Sequence, residues 1–427
     1  MIWLNDADAG FEAAFATLVD ARREADPDVA ADVTAILSRV RAEGDAALID
    51  LTRRFDAFDL DTEGWSISRD DCAAAYDTLE PALRGALNLA ADRIRTYHAR
   101  QRPADSDWTD DTGTRMGARW TAVEAAGLYV PGGRAAYPSS VLMNALPAKV
   151  AGVERLAMVT PTPKGAINQA VLAAAHIAGV DEIWRVGGAQ AVGALAYGTA
   201  TIAPVDVIVG PGNAWVAEAK RQLYGRVGID MVAGPSEILV VADADNNPAW
   251  IAADLLSQAE HDPTSQSILI TDSATFAKAV VVAIETLLPV LSTGSSARTS
   301  WDTHGAVIVI ASLSNAPPLI DRLAPEHLEL AVADPDRLFA RVCHAGSVFL
   351  GRYTPEAVGD YLGGPNHVLP TGRRARFASG LSVTDFMKRT SFLGATSASI
   401  ALLGPAAATL ADAEGLPAHA ASVRARL

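Results

Sequence analysis

Four of the eight histidines in this 427-residue chain lie in compact polar motifs. Gln258 and His261, in Asp254-Leu-Leu-Ser-Gln258-Ala-Glu-His261, are three apart and share one face of a helix. Trp250, Ile251, Leu255 and Leu256 ahead of them supply the apolar stripe that would anchor it. Imidazole is the commonest side-chain metal ligand near neutral pH, and an amide oxygen is a weaker, neutral one. The pair can therefore be half of a metal site, although a helix cap or a solvated face uses the same residues. Glu326-His327 is an adjacent acid and base after Pro325, read as a loop. On irregular backbone two neighbouring side chains can address one small volume, whereas on a strand or helix they diverge. Histidine can take a proton from an alcohol, and a carboxylate can activate water. A surface pair at a helix end is the competing reading.

Asp360 and His367 bracket Gly363-Gly364-Pro365-Asn366, a turn able to fold them onto one site. Gln258, His261, Asp360 and one further histidine would offer Zn²⁺ two nitrogens and two oxygens, with room for substrate. Glu414 and His419 form the last such motif. His98, His176, His304 and His344 have no nearby partner and read as structural or surface residues. Cys72 and Cys343 sit in no CxxC context, so reduced thiols in a cytoplasmic enzyme are expected.

The elements that must position these groups follow from periodicity. Residues 11 to 100 repeat apolar positions at helical spacing, and 105–115 reads as a polar surface connection. From Val123 onward strands and helices alternate. Strands are expected at 127–130, 156–160, 182–186 and 206–209, then at 238–242, 268–271, 306–310 and 347–350. Helices fall between them, including 248–259, where Pro248 suits a first helical position. Two such successions predict two parallel sheets covered by helices. Gly210-Pro211-Gly212-Asn213 follows a strand and opens a helix, where a dinucleotide fingerprint belongs. Trp215 stands where that fingerprint wants a third glycine, and Gly187-Gly188-Ala189-Gln190 is a similar incomplete turn. Residues 390–427 read as a helical, Ala-rich arm. The formal charge of −15, with acids and bases interspersed, argues against nucleic acid or anionic lipid as partners. No run is apolar enough to span a bilayer, and no signal pattern opens the chain.

Taken in order, the motifs resemble the histidinol dehydrogenase family. The words that carry the resemblance include Gly-Leu-Tyr129-Val-Pro-Gly-Gly, Val-Gly-Gly-Ala-Gln190, Val-Gly-Pro-Gly-Asn213 and Ala-Gly-Pro-Ser236-Glu. They continue with Leu-Leu-Ser-Gln258-Ala-Glu-His261, Ala-Pro-Glu326-His327, Gly-Asp360-Tyr, Asn-His367-Val and Ala-Glu414-Gly-Leu-Pro-Ala-His419. The first ~120 residues match more loosely.

The resemblance implies an NAD- and zinc-dependent enzyme that oxidises L-histidinol to L-histidine in two steps through a bound aldehyde. It places zinc, one per subunit, on Gln258, His261, Asp360 and His419, and proton transfer on Glu326 and His327. Substrate contacts fall on Ser236, Gln258, His261, His327, Asp360, His367, Glu414 and His419, and NAD contacts on Tyr129, Gln190 and Asn213. It also implies a homodimer whose arm brings Glu414 and His419 to the neighbour's site. The fold expected is α/β: two Rossmann-like parallel-sheet domains with incomplete dinucleotide-binding patterns, a helical N-terminal segment and a helical C-terminal arm. The expected division is an extension over 1–23, a discontinuous domain of 24–128 with 237–380, an inserted NAD-binding domain over 129–236, and an arm over 381–427. On this reading zinc orients the alcohol toward nicotinamide. His327 accepts the hydroxyl proton, and Glu326 activates water to attack the aldehyde. The alternatives are a related zinc- and NAD-dependent dehydrogenase of another primary alcohol, a non-catalytic zinc- or nucleotide-binding protein, and a metal-free Rossmann-type dehydrogenase.

Overall fold

The computed structural model describes residues 1–21, 29–132, 137–232 and 234–427. The expected boundary at 23/24, Gly133 of the Pro131 turn and Ala233 of the Ser236 motif lie outside them. In chain order the first strands are β1 (Ile2–Asn5), β2 (Ser66–Ile67), β3 (Ser106–Thr109), β4 (Arg115–Ala122) and β5 (Ala125–Tyr129). Next come β6 (Arg155–Val159), β7 (Glu182–Trp184), β8 (Val207–Val209), β9 (Gly228–Ile229) and β10 (Glu237–Ala242). The last are β11 (Gln266–Thr271), β12 (Ala306–Val309), β13 (His327–Ala331), β14 (Ser347–Leu350) and β15 (Met387–Gly394).

They form two six-stranded sheets, β2-β7-β6-β5-β8-β9 and β1-β12-β11-β10-β13-β14, and a three-stranded sheet β15-β4-β3. Every pairing in the second large sheet is parallel. In the first, only the short β2 runs against its neighbour β7. Strands such as Ile238-Leu-Val-Val-Ala242 are apolar throughout because helices bury both faces of a parallel sheet. In each large sheet the strand order reverses once, between β5 and β8 and between β10 and β13. Such a switch point opens a ligand crevice outside the carboxyl ends of the strands.

Three parts differ from the sequence reading. The N-terminal segment is not wholly helical: β1 pairs with β12 as an edge strand, and Leu4 joins Phe15, Leu18 and Val19 in the core against Leu239 and Ile308. Four residues are too few for periodicity to declare a strand. The helices between residues 30 and 99 were expected with the 237–380 unit, yet they cover the first sheet. Val33 and Leu37 pack with Leu195, and Leu87 and Ile94 pack with Leu142 and Met158. Helical periodicity says which face is buried, not which sheet buries it. The arm and the 105–115 connection each contribute a strand. β15 pairs antiparallel with all of β4, and β3 flanks β4 on its other side. The polar, exposed faces of β3 and β15 hid their strand character. Only then do the arm helices Ser397–Ala413 and Pro417–Arg424 begin.

Candidate active site

The chemistry gathers at the amino-terminal edge of the second sheet, on its switch point between β10 and β13. The helix Ala316–Leu323 ends at Ala324, whose backbone is left-handed (φ 40°) and turns the chain sharply. Pro325 and Glu326 follow, and His327 opens β13, opposite Ile238 of β10 and Ser347 of β14. The loop expected for Glu326-His327 is thus half correct: Glu326 precedes the strand and His327 begins it. A turn at this boundary brings Glu326 Oε2 within 3.7 Å of His327 Nδ1. Gly346 allows the close approach on the other side. Its N–H donates to Pro325 O, and a Cβ there would stand 2.5 Å from Glu326 O.

Both side chains are buried. The Glu237 N–H donates to Glu326 Oε2 (2.8 Å), and His327 Nδ1 lies 3.1 Å from Glu237 O. A carbonyl only accepts, so Nδ1 carries a proton in either charge state, and Nε2 is the nitrogen that gains or loses one. Nε2 faces Asp360 Oδ1 at 3.6 Å, and Glu356 Oε1 lies 3.6 Å from Nδ1. Burial drives the Glu326 carboxyl up to about 8, against the pull of His327. Burial alone would lower His327, but Glu356, Glu326 and Asp360 outweigh it and raise the imidazole to about 10. The His327 ring stacks on Phe349, centroids 6.1 Å apart.

Gln258 arrives on the helix Pro248–Ala259, which Asn247 caps and Pro248 opens. His261 lies beyond its Glu260 cap, in a turn where its N–H donates to Gln258 O (3.3 Å), and not on the helix as expected. That helix runs back from the carboxyl end of β10, so its last turn returns to the catalytic edge. Gln258 is fully buried, its Nε2 is 3.5 Å from His261 Nδ1, and its Oε1 has no hydrogen-bond partner. His261 keeps an open face to solvent. The protein packed around it still lowers its pKa by desolvation, with Asp360 opposing. Asp360 sits on the single π-helical turn Gly359–Gly363. His327, His367 and His261 together hold its carboxyl below the usual range against the effect of burial. His367 lies beside Asp360, and both line a narrow cleft with Ser347 and Phe349.

A bare buried acceptor such as Gln258 Oε1 is costly unless something meets it, and the amide, imidazole and carboxylate beside it suit a borderline cation. A different grouping, His327 with Glu356 and Asp360, has ligand atoms within 4.8 Å of one another. Its Glu356 already accepts from Ser257 Oγ (3.2 Å), whereas Gln258 Oε1 is bare, so the set containing Gln258 holds the acceptor most in need of a partner.

Seven expected residues thus meet at or beside one edge: Gln258, His261, Glu326, His327, Asp360, His367 and Ser236. Ser236 directly precedes β10, its carbonyl accepting from Gln266 N–H. Glu414 and His419 are not among them. Both stay exposed on the arm of the single chain.

Tyr129, Gln190 and Asn213 lie at the carboxyl ends of strands of the first sheet. The Tyr129 hydroxyl accepts from Gly188 N–H (3.0 Å), and burial pushes it up to about 12. Gln190 is buried in the helix Gly188–Tyr197, and Asn213 caps Ala214–Leu223. Gly210 (φ 112°) passes so close to Tyr129 that a Cβ would fall 2.2 Å from its carbonyl oxygen. This edge faces the catalytic one. Tyr137, just past β5, interacts electrostatically with Asp262 and Tyr361, and Asn366 Nδ2 donates to Met143 O (2.6 Å).

Sequence reasoning missed Glu356, whose approach to His327 no local pattern signals, and gave Glu237 no role although it ends the Ser236 motif. It also did not foresee that Glu329 on β13 and Asp254 on the Gln258 helix share a hydrogen bond, with burial raising them to about 9 and about 6.

The model of the family described as histidinol dehydrogenase matches residues 20–427. The chain belongs to the histidinol dehydrogenase family. Family members from Zymomonas mobilis and Rhodospirillum rubrum are 65% identical over 427 residues and 63% identical over 425 residues. These alignments cover 100% and 99% of this chain, and 99% and 98% of theirs. A crystal structure of histidinol dehydrogenase from Elizabethkingia anophelis superposes with a TM-score of 0.94 at 36% identity, covering 100% of this chain and 98% of that one. The family fold therefore extends through the N-terminal helices and the arm.

Proposed function

We propose that this chain oxidises L-histidinol to L-histidine with two NAD, passing through an aldehyde that stays bound. The observation that carries the reading is the buried Glu326-His327 couple against Gln258, His261 and Asp360, in a chain of this family. His327 Nε2 takes the hydroxyl proton as hydride leaves for the nicotinamide. The imidazolium so formed is balanced by Glu356 and Asp360. Glu326, anchored on the Glu237 N–H, takes a proton from water as that water attacks the aldehyde, while the His327 imidazolium gives its Nε2 proton to the aldehyde oxygen and becomes a base again. His327 then deprotonates the gem-diol for the second hydride transfer. Gln258, His261 and Asp360 would hold Zn²⁺ together with His419 of a second copy, and the ion would supply Lewis acidity, a fixed substrate orientation and a charge that offsets Asp360. Ser236, His367 and Glu414 would complete the substrate site, and Tyr129, Gln190 and Asn213 the NAD site. Thiol chemistry has no candidate here. Burial first, with Asp71 adding, drives Cys72 up to about 11, far from a thiolate, and Cys343 is exposed outside the site.

The arm supports a homodimer. Leu393, Leu402, Leu410 and Leu427 are each more than half exposed along it, an apolar surface that a second copy would cover. Free cysteines and a biosynthetic role fit the cytoplasm. Among the described residues no helix is long and apolar enough to cross a membrane.

The test is NADH absorbance on adding histidinol to protein with NAD, before and after treatment with a chelator. Turnover that the chelator abolishes and Zn²⁺ restores is expected. Turnover of simple primary alcohols as fast as histidinol would instead favour a dehydrogenase of another substrate.

A further inference from the structure

Glu237 occupies an unusual place, since its backbone bonds both members of the couple, the N–H holding Glu326 and the carbonyl holding His327. Three contacts from the segment 371–374 fasten the chain that leads into it. Thr371 Oγ1 accepts from Gly234 N–H (2.5 Å), Arg374 Nη1 donates to Val232 O (2.6 Å), and Arg373 Nη1 pairs with Glu237 Oε2 (3.3 Å). Arg373 is 1% exposed and its other arm donates to Gln266 Oε1 (2.7 Å) on β11, the strand beside β10. A guanidinium can grip two acceptors at fixed geometry, which a single ammonium cannot reproduce. Arg373 also holds a left-handed backbone (φ 65°), a conformation that persists only where surrounding contacts enforce it.

We propose that the segment 371–374 is a strap that positions the catalytic couple, with Arg373 and Thr371 as positioning residues acting through the backbone of Glu237. The proposal rests on the roles given above to Glu326 and His327. Proton transfer depends steeply on placement, and displacement by about 1 Å can cost about 100-fold. Residues 371–374 do not line the cleft beside Asp360, and their contacts reach the couple through Glu237 and the backbone before it. Loosening the strap should therefore lower kcat by more than it raises either KM.

The experiment compares Thr371→Val, Thr371→Ser and Arg373→Lys with the unaltered dimer, well below each protein's Tm and with bound metal quantified. Thr371→Val and Arg373→Lys should lose about 10-fold or more in kcat, with KM for histidinol and for NAD within about threefold and metal content intact. Thr371→Ser, which restores the acceptor, should recover activity to within about twofold of the unaltered enzyme. If folded Thr371→Val keeps its kcat, or loses only Tm, or shows a raised KM at unchanged kcat, the strap has no positioning role. Should Arg373→Lys not fold, the Thr371 pair decides alone. His327→Ala is measured in parallel, and full activity there would refute the underlying roles rather than the strap.

Discussion

His327 illustrates how one side chain takes its chemistry from its neighbours. Three carboxylates converge on it, and the Glu237 carbonyl fixes its Nδ1 proton. Replacing it with alanine should slow both oxidations about 100-fold or more, whereas Glu326→Ala should slow mainly the second; single-turnover NADH traces resolve the two steps. Equal losses would contradict the division of roles. Both groups must lose a proton before they can accept one, and their surroundings raise them to about 8 and about 10. Activity should therefore rise with pH above neutrality, with the limb alkaline of an ordinary imidazole near 6.5; a kcat/KM profile checks this. Changing Cys72 and Cys343 both to Ala should leave kcat within about twofold, and selective loss of the aldehyde step would restore a thiol mechanism. The motif residues were legible because short words keep residue types together. Glu356 was not, since its importance comes from a 3.6 Å approach between segments 29 residues apart.

At the level of elements, most strands and the helices 248–259 and 316–323 were readable from apolar runs closed by turn residues. β13 was not, because His327 and Glu329 interrupt the run Leu328-Leu330 with polar groups whose partners lie on other elements. Glu329 carries a testable cost. Its folded pKa, near 9, and that of Asp254, near 6, exceed the ordinary carboxylate values, so the native state binds more protons than the unfolded one between about pH 4 and 9. Their contribution to stability is greatest below the unfolded pKa and is lost as pH rises. Glu329→Gln should flatten the fall in Tm between pH 6 and 9 by a few degrees, on the order of 1 kcal/mol; an unchanged slope in thermal scans would show that the pair does not set it. Gly359 is bounded just as tightly, since a Cβ there would meet Phe349 Cε1 at 2.1 Å, and Phe349 carries the His327 ring. Gly359→Ala should cost about 1–3 kcal/mol of stability and reduce kcat; a folded variant with full activity would detach Phe349 from the site.

Across the whole molecule, the two sheets meet with opposite edges, the carboxyl ends of the first, with Tyr129 and Asn213, facing the amino ends of the second, with Glu326 and His327. Alternating strands and helices announced the two sheets, but which edge carries the site depends on long-range return of helices and stayed hidden. The same holds for the arm. Exposed leucines on Ser397–Ala413, with His419 just beyond, make sense once a second copy covers them. Mixing and reassociating inactive Gln258→Ala and His419→Ala subunits should return about a quarter of normal activity, because half the dimers would be hybrids with one intact site each; no recovery in proven hybrids would place His419 outside its neighbour's site. The most direct measurement is the yield of NADH per histidinol consumed to completion, with the product identified. Two NADH and free L-histidine, with no aldehyde released, are expected. One NADH with histidinal accumulating would show that this site performs only half of the proposed reaction.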